Sequence, residues 1–188
     1  MKYRSFGKWR CYLRALFDLC LGRASGWVSS VETELDYRAW VMPRSRHMFF
    51  DIDDTLNGHR KGLTPSICEW LNELSRGGKS VVLLTNCSEG RSREHQGRLE
   101  QYSCDAELWP VGAKPDHVWL RHRILERGWR VEDCAMFGDR PTMDLWMASK
   151  AGFAERIWVR AWGLRRKYHS PLSWIQGLEW LLCRAHGV

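Results

Sequence analysis

The sequence has no apolar run approaching the roughly 18 residues a membrane-spanning helix needs. The nearest, CYLRALFDLCLG at 11–22, is interrupted by Arg14 and Asp18 and followed by Arg23. Those charges also argue against a cleaved secretory signal. No CxxC pair occurs among the seven scattered cysteines, which disfavours a structural zinc site or a disulfide framework and fits reduced thiols in a cytoplasmic chain. The seven histidines show no ligand spacing, and no nucleic-acid-binding motif is recognisable.

What is present is ordinary in amount and uneven in place. At 188 residues, 44% apolar and 27% charged, the chain fits one domain with a normal core and some material at the ends. Twelve Trp imply large aromatic contacts, first of all packing. The net charge of +7 is carried by the ends. Residues 1–47 hold nine Lys/Arg against four Asp/Glu, residues 48–150 hold 14 against 16, and residues 151–188 hold six against two. Basic ends attract phosphate-rich partners, whether an anionic membrane surface or nucleic acid.

Helical spacing of Phe6, Trp9, Tyr12/Leu13, Leu16/Phe17 and Cys20 among Lys8, Arg10, Arg14 and Arg23 predicts a basic amphipathic helix over 5–23. Its apolar face can pack on the domain's own core or lie on a membrane. GRASGWVSS at 22–30 reads as a hinge. From 47 onward, short apolar runs alternate with helical stretches. Strands are expected at 48–52, 80–85, 106–110, 134–139 and 155–160, and helices at 64–78, 88–102, 115–127 and 142–152. Thr64 is read as a cap, Pro65 as first-turn residue and Gly77 as stop. This alternation predicts an α/β fold: a three-layer Rossmann-like parallel sheet of about five strands with helices on both faces, no cap domain, and basic amphipathic helices at the ends. The expected divisions are 1–30 for the N-terminal helix and hinge, 31–160 for the catalytic domain, and 161–188 for a basic linker and final amphipathic helix.

In FFDIDDTLN (49–57), an apolar strand ends in Asp51, Asp53 and Asp54. Burying such charges costs several kcal/mol per ion unless something neutralises them. A divalent cation does so, and Mg²⁺ prefers oxygen ligands. FGDRPTMD adds Asp139 and Asp144 from another strand end, and sites in such sheets form at the carboxyl ends of strands. Asp carboxylates also serve as nucleophiles in phosphoryl transfer. LLTN supplies Thr85 and Asn86 ahead of a helix, and GAKPD supplies Lys114.

In order and spacing, DIDDT, LLTN, AKPD and GDRPTMD resemble the four motifs of the haloacid dehalogenase-like phosphatase superfamily, over about 95 residues from Asp51 to Asp144. The resemblance implies Asp51 as nucleophile and metal ligand, and Asp53 as general acid and then base, with its carbonyl on the metal. It implies Thr85 and Lys114 as holders of the transferred group, Asp139 as a further ligand, and Asp144 as a ligand or an orienter of Lys114. The phosphate-binding set it implies is Ile52, Asp53, Thr85, Asn86 and Lys114, with Mg²⁺ as cofactor. An acid at Asp53 favours phosphate esters over carbon–halogen bonds. Asp54 stands where many members have Gly or Asn, and its role is left open. Arg91 and Arg93 are read first as a solvated helix face, with substrate contact as the alternative, and His59, His95 and His117 as surface or substrate-rim residues.

Only about 25 residues separate Leu56 from Val81, and 28 separate Thr85 from Lys114; neither interval holds a cap domain. An open site favours phosphate on something large. The flanks, including WGLRRKYHSPLSWIQGLEWLLCR with Trp162, Trp174 and Trp180, resemble the capless subfamily IIIA group related to phosphatidylglycerophosphate phosphatases. The first expectation is therefore a phosphatase acting on a lipid phosphate, peripheral to a membrane. A nucleic-acid end phosphatase is the alternative, and an interaction protein with a vestigial phosphatase site is the third.

Overall fold

The computed structural model describes residues 5–21, 29–31, 43–57, 61–110, 114–159, 177–179 and 181–182. Six parallel strands form one sheet: β1 (Ser29–Val31), β2 (His47–Phe50), β3 (Ser80–Thr85), β4 (Glu107–Pro110), β5 (Cys134–Gly138) and β6 (Glu155–Val159), in the order β1-β6-β5-β2-β3-β4. The helices are α1 (Ser5–Cys20), α2 (Pro65–Arg76), α3 (Glu89–Gln101), α4 (His117–Glu126) and α5 (Trp146–Ala151), the last preceded by a π-helical turn at Pro141–Leu145. The expected α/β architecture is the observed one.

Strands buried on both faces need continuous apolar sequence, and β2 and β3 have it. Phe49 points to one side with Val82, Leu84, Trp109 and Met136, under α4, α5 and α1. Met48 and Phe50 point to the other with Leu83 and Phe137, under α2 and α3. Phe50 stacks on Phe137 at 4.6 Å, while Phe49 meets Trp109 edge-on at 5.4 Å. Trp70, Trp109, Trp146 and Trp158 are all buried, so among the described residues tryptophan serves mainly packing. Trp162, Trp174 and Trp180, the hinge at 22–28, His59 and the linker from 160 lie outside the described residues.

Helix ends follow local chemistry. Thr64, Ser88 and Asp116 accept hydrogen bonds from the first turns of α2, α3 and α4, and Gly77 ends α2 as expected. The expected helix at 142–152 is split instead, with Asp144 held in the π-helical turn before α5 begins.

One expectation at the N-terminus needs correction. Ser29–Val31 is not hinge but the edge strand, pairing with Ile157–Val159 of β6. A boundary at residue 30 therefore falls inside a strand of the sheet. The helix α1 forms, and among its described side chains the apolar stripe is divided, with Tyr12 and Leu16 half-buried and Leu13 and Phe17 turned outward. Ala15 and Asp18 are buried while Leu13 and Phe17 are 61% and 60% exposed. The Asp18 carboxylate explains the rotation, since it accepts from Trp146 Nε1 at 2.9 Å and pairs with Lys150 at 2.9 Å, both on α5.

Candidate active site at the strand ends

The chain leaves β2 toward β3, whereas β5 pairs with the other edge of β2. This is the switch point where doubly wound sheets open a crevice at the carboxyl ends of their strands. Asp51 follows β2, Thr85 closes β3, and Asp139 follows β5. The Asp51 amide extends the ladder by donating to Phe137 O at 3.0 Å.

Asp51, Asp139 and Asp144 each offer a carboxylate oxygen, and the three oxygens lie within 4.8 Å of one another. Lys114, 3% exposed, bridges two of these acids: its ammonium contacts Asp51 Oδ1 and lies 2.7 Å from Asp144 Oδ1. Thr55 donates to the other Asp51 oxygen at 3.3 Å. The Asp144 carboxylate accepts from the Arg140 amide at 3.1 Å, and its own amide returns to Arg140 O at 2.9 Å. Gly138 makes this approach possible, because a Cβ there would lie 2.4 Å from the Asp144 Cβ.

One buried ammonium among three acids is insufficient. Burial, opposed by Lys114 and assisted by Asp144, pushes Asp51 up to about 7. Burial, then Asp51 and Asp144, hold Asp139 well above the usual carboxylate range. For Lys114, burial favours the neutral amine, but Asp144 and Asp51 outweigh it and keep the ammonium charged. A hard divalent cation suits this all-oxygen donor set and would relieve the repulsion. Among the described residues, Asp51, Asp139 and Asp144 form the group able to hold it.

The Asp53 carboxylate is not part of that cluster. It pairs with Arg91 of α3 at 3.0 Å, which corrects the reading of Arg91 as mere solvated surface. The Ile52 side chain is in the core, and its carbonyl accepts from the turn amides of Thr55, Leu56 and Asn57, so only its amide remains for a ligand. Asn86 clamps Lys114: its Nδ2 donates to Lys114 O at 3.1 Å, and its Oδ1 accepts from Lys114 N at 3.0 Å. The Asn86 side chain thus sets the position of the lysine.

Asp54 has φ 65, in the left-handed region that Asn, Asp and Gly tolerate best. That backbone demand accounts for an acid where Gly or Asn is common in the resembling family. His95 is fully buried rather than at the rim, and His117 rests edge-on against Trp146 at 5.4 Å. Both intervals that were too short for a cap hold little: α2 between β2 and β3, and α3 and β4 before Lys114.

The chain matches no family model and no curated protein. Among solved structures it is similar to the crystal structure of an uncharacterized protein from Listeria monocytogenes serotype 4b. The identity is 16%, with 73% of this chain and 98% of that one covered, and the TM-score is 0.48.

Sequence reasoning assigned nothing to Gly138 and Glu179 and did not pair Arg91 with Asp53. Gly138 had a signal, since a glycine between an apolar strand and an acid marks a close approach. Glu179, near the other end of the chain, had none.

Proposed function

We propose that the protein is a Mg²⁺-dependent phosphatase of the haloacid dehalogenase type, hydrolysing a phosphate monoester through an aspartyl-phosphate. The observation that carries this reading is the Asp51–Asp139–Asp144 cluster braced by Lys114 at the sheet's switch point. Bound Mg²⁺ would add positive charge and orient the phosphate. The Asp51 carboxylate attacks phosphorus as the ester oxygen–phosphorus bond breaks, and Asp53 gives its proton to the leaving oxygen. Lys114, the Thr85 hydroxyl and the Ile52 and Asp53 amides hold the phosphoryl oxygens. Asp53 then takes a proton from water, which attacks the acyl phosphate and regenerates Asp51.

The substrate class we favour is a lipid phosphate such as phosphatidylglycerophosphate. The uncapped crevice admits a large substrate, and the outer face of α1 presents Leu13 and Phe17 beside exposed Arg10 and Arg14, a pairing suited to an anionic lipid surface. The test is a Mg²⁺-dependent screen across lipid, sugar, nucleotide and nucleic-acid phosphates, with Asp51→Asn as the blank. Turnover of the lipid phosphate, lost in Asp51→Asn, supports the reading. Preferential release of phosphate from nucleic-acid ends would transfer the enzyme to the alternative substrate class, and absence of turnover on every ester would defeat the phosphatase assignment.

A further inference from the structure

Glu179 lies far in sequence from the motifs and is 1% exposed. A lone carboxylate would not persist there uncompensated, and its partners come from two distant segments. Arg140 donates from NH2 to Glu179 Oε1 at 3.0 Å and from Nε to Oε2 at 3.4 Å. The Thr142 hydroxyl donates to the same carboxylate. Tyr12 of α1 donates at 3.4 Å, and its ring lies 6.0 Å from the Arg140 guanidinium.

The recipients of these bonds define a consequence for the acid cluster. Arg140 directly follows Asp139, and its amide is the donor that fixes the Asp144 carboxylate at 3.1 Å. Thr142 lies inside the π-helical turn that carries Asp144. A fork of two guanidinium bonds fixes direction as well as distance. One buried carboxylate therefore holds the segment between Asp139 and Asp144 at two points, Arg140 and Thr142.

We propose that Glu179 is a positioning residue for the metal-binding loop, fixing Asp139 and Asp144 through Arg140 and Thr142. The proposal rests on the reading of those two acids as metal ligands. It makes the C-terminal segment, with Tyr12 of α1, part of the machinery that sets metal affinity.

The test uses the full chain in four forms: parent, Glu179→Gln, Thr142→Val, and Glu155→Gln as a stability control. Glu155 accepts bonds from Arg44 and Ser45 at the opposite end of the sheet, so its loss weakens the fold away from the loop. Mn²⁺ affinity is read by the electron paramagnetic resonance of free Mn²⁺, and loop order by hydrogen exchange over 139–145. Glu179→Gln should bind Mn²⁺ about tenfold more weakly, as removal of an outer partner of a metal site does, with faster exchange in the loop. Thr142→Val keeps the ion pair and should show a smaller loss of the same kind, which keeps the proposal testable if Glu179→Gln does not fold. Glu155→Gln should bind as the parent does. Parental affinity and loop protection in Glu179→Gln, or an equal loss in Glu155→Gln, would overturn the proposal, as would failure of the parent to bind Mn²⁺. A parent that binds Mn²⁺ but hydrolyses no ester, with the expected loss in Glu179→Gln, leaves the positioning role standing and defeats the phosphatase reading alone.

Discussion

Replacing Lys114 by Met removes the ammonium lying between Asp51 and Asp144 while keeping an unbranched side chain in its place. The parent protein without metal is already burdened. Asp51 has its proton held to about 7 against an ordinary 3.8, and a gap of about three pH units corresponds to about 4 kcal/mol. Between those values the folded state keeps a proton that the unfolded state has released. The stability of the metal-free parent therefore falls as pH rises from about 4 to about 7, and the penalty is complete above that. Asp139, displaced in the same direction, adds to it. Breaking a buried ion pair by removing one partner costs about a further 3–5 kcal/mol, set against a total domain stability of about 5–15 kcal/mol. Lys114→Met should thus be severely destabilised near about pH 8, much less so near about pH 5 where Asp51 and Asp139 hold their protons, and partly rescued by excess Mg²⁺ at the higher pH. Denaturant unfolding at the two pH values, with and without Mg²⁺, reads all three effects. An equal loss at both pH values, with no response to Mg²⁺, would refute the account of the cluster as charges awaiting a cation.

Asp51→Asn should abolish turnover yet raise the melting temperature of the metal-free protein above about pH 7, because it deletes a buried charge with a raised pKa. Calorimetry with and without chelator checks this. Gly138→Ala places a methyl group 2.4 Å from the Asp144 Cβ and should both destabilise the fold by about 1–3 kcal/mol, as overpacking does, and weaken Mn²⁺ binding. Asp53→Asn should lose more activity on alkyl phosphates than on aryl phosphates with good leaving groups, since only the former need a proton; steady-state rates on a leaving-group series decide it. Phe17→Asp, on the exposed face of α1, should abolish co-sedimentation with anionic vesicles without shifting the melting temperature.

The parts of the molecule that were legible beforehand are those in which local pattern and tertiary role coincide. MFF and SVVLLT could be read as buried strands because a two-sided parallel sheet demands uninterrupted apolar residues, and the acids at their ends followed from topology. Ser29–Val31 was illegible because SSV has no core pattern of its own, and its strand state comes from pairing with β6. The orientation of α1 was left open because periodicity weighs Leu13 and Phe17 by hydrophobicity, whereas Asp18 finds two donors on α5. The partners of Arg91 and Glu179 were missed for a related reason. A charged residue on a polar helix or near a chain end takes its meaning from a partner 38 or 39 residues away, and no spacing rule announces that.

The bond from the Asp51 amide to Phe137 O makes the sheet a ruler. Neighbouring strands lie about 4.8 Å apart whatever their side chains, and that spacing, continued past the last paired residues Phe50 and Phe137, sets the separation at which Asp51 and Asp139 leave the backbone. Side-chain substitutions in the helices can therefore drift without detuning the distance between the two acids. A slip of one residue between β2 and β5 would instead reverse the facing of every β2 side chain, so the pairing register is where this site tolerates least change.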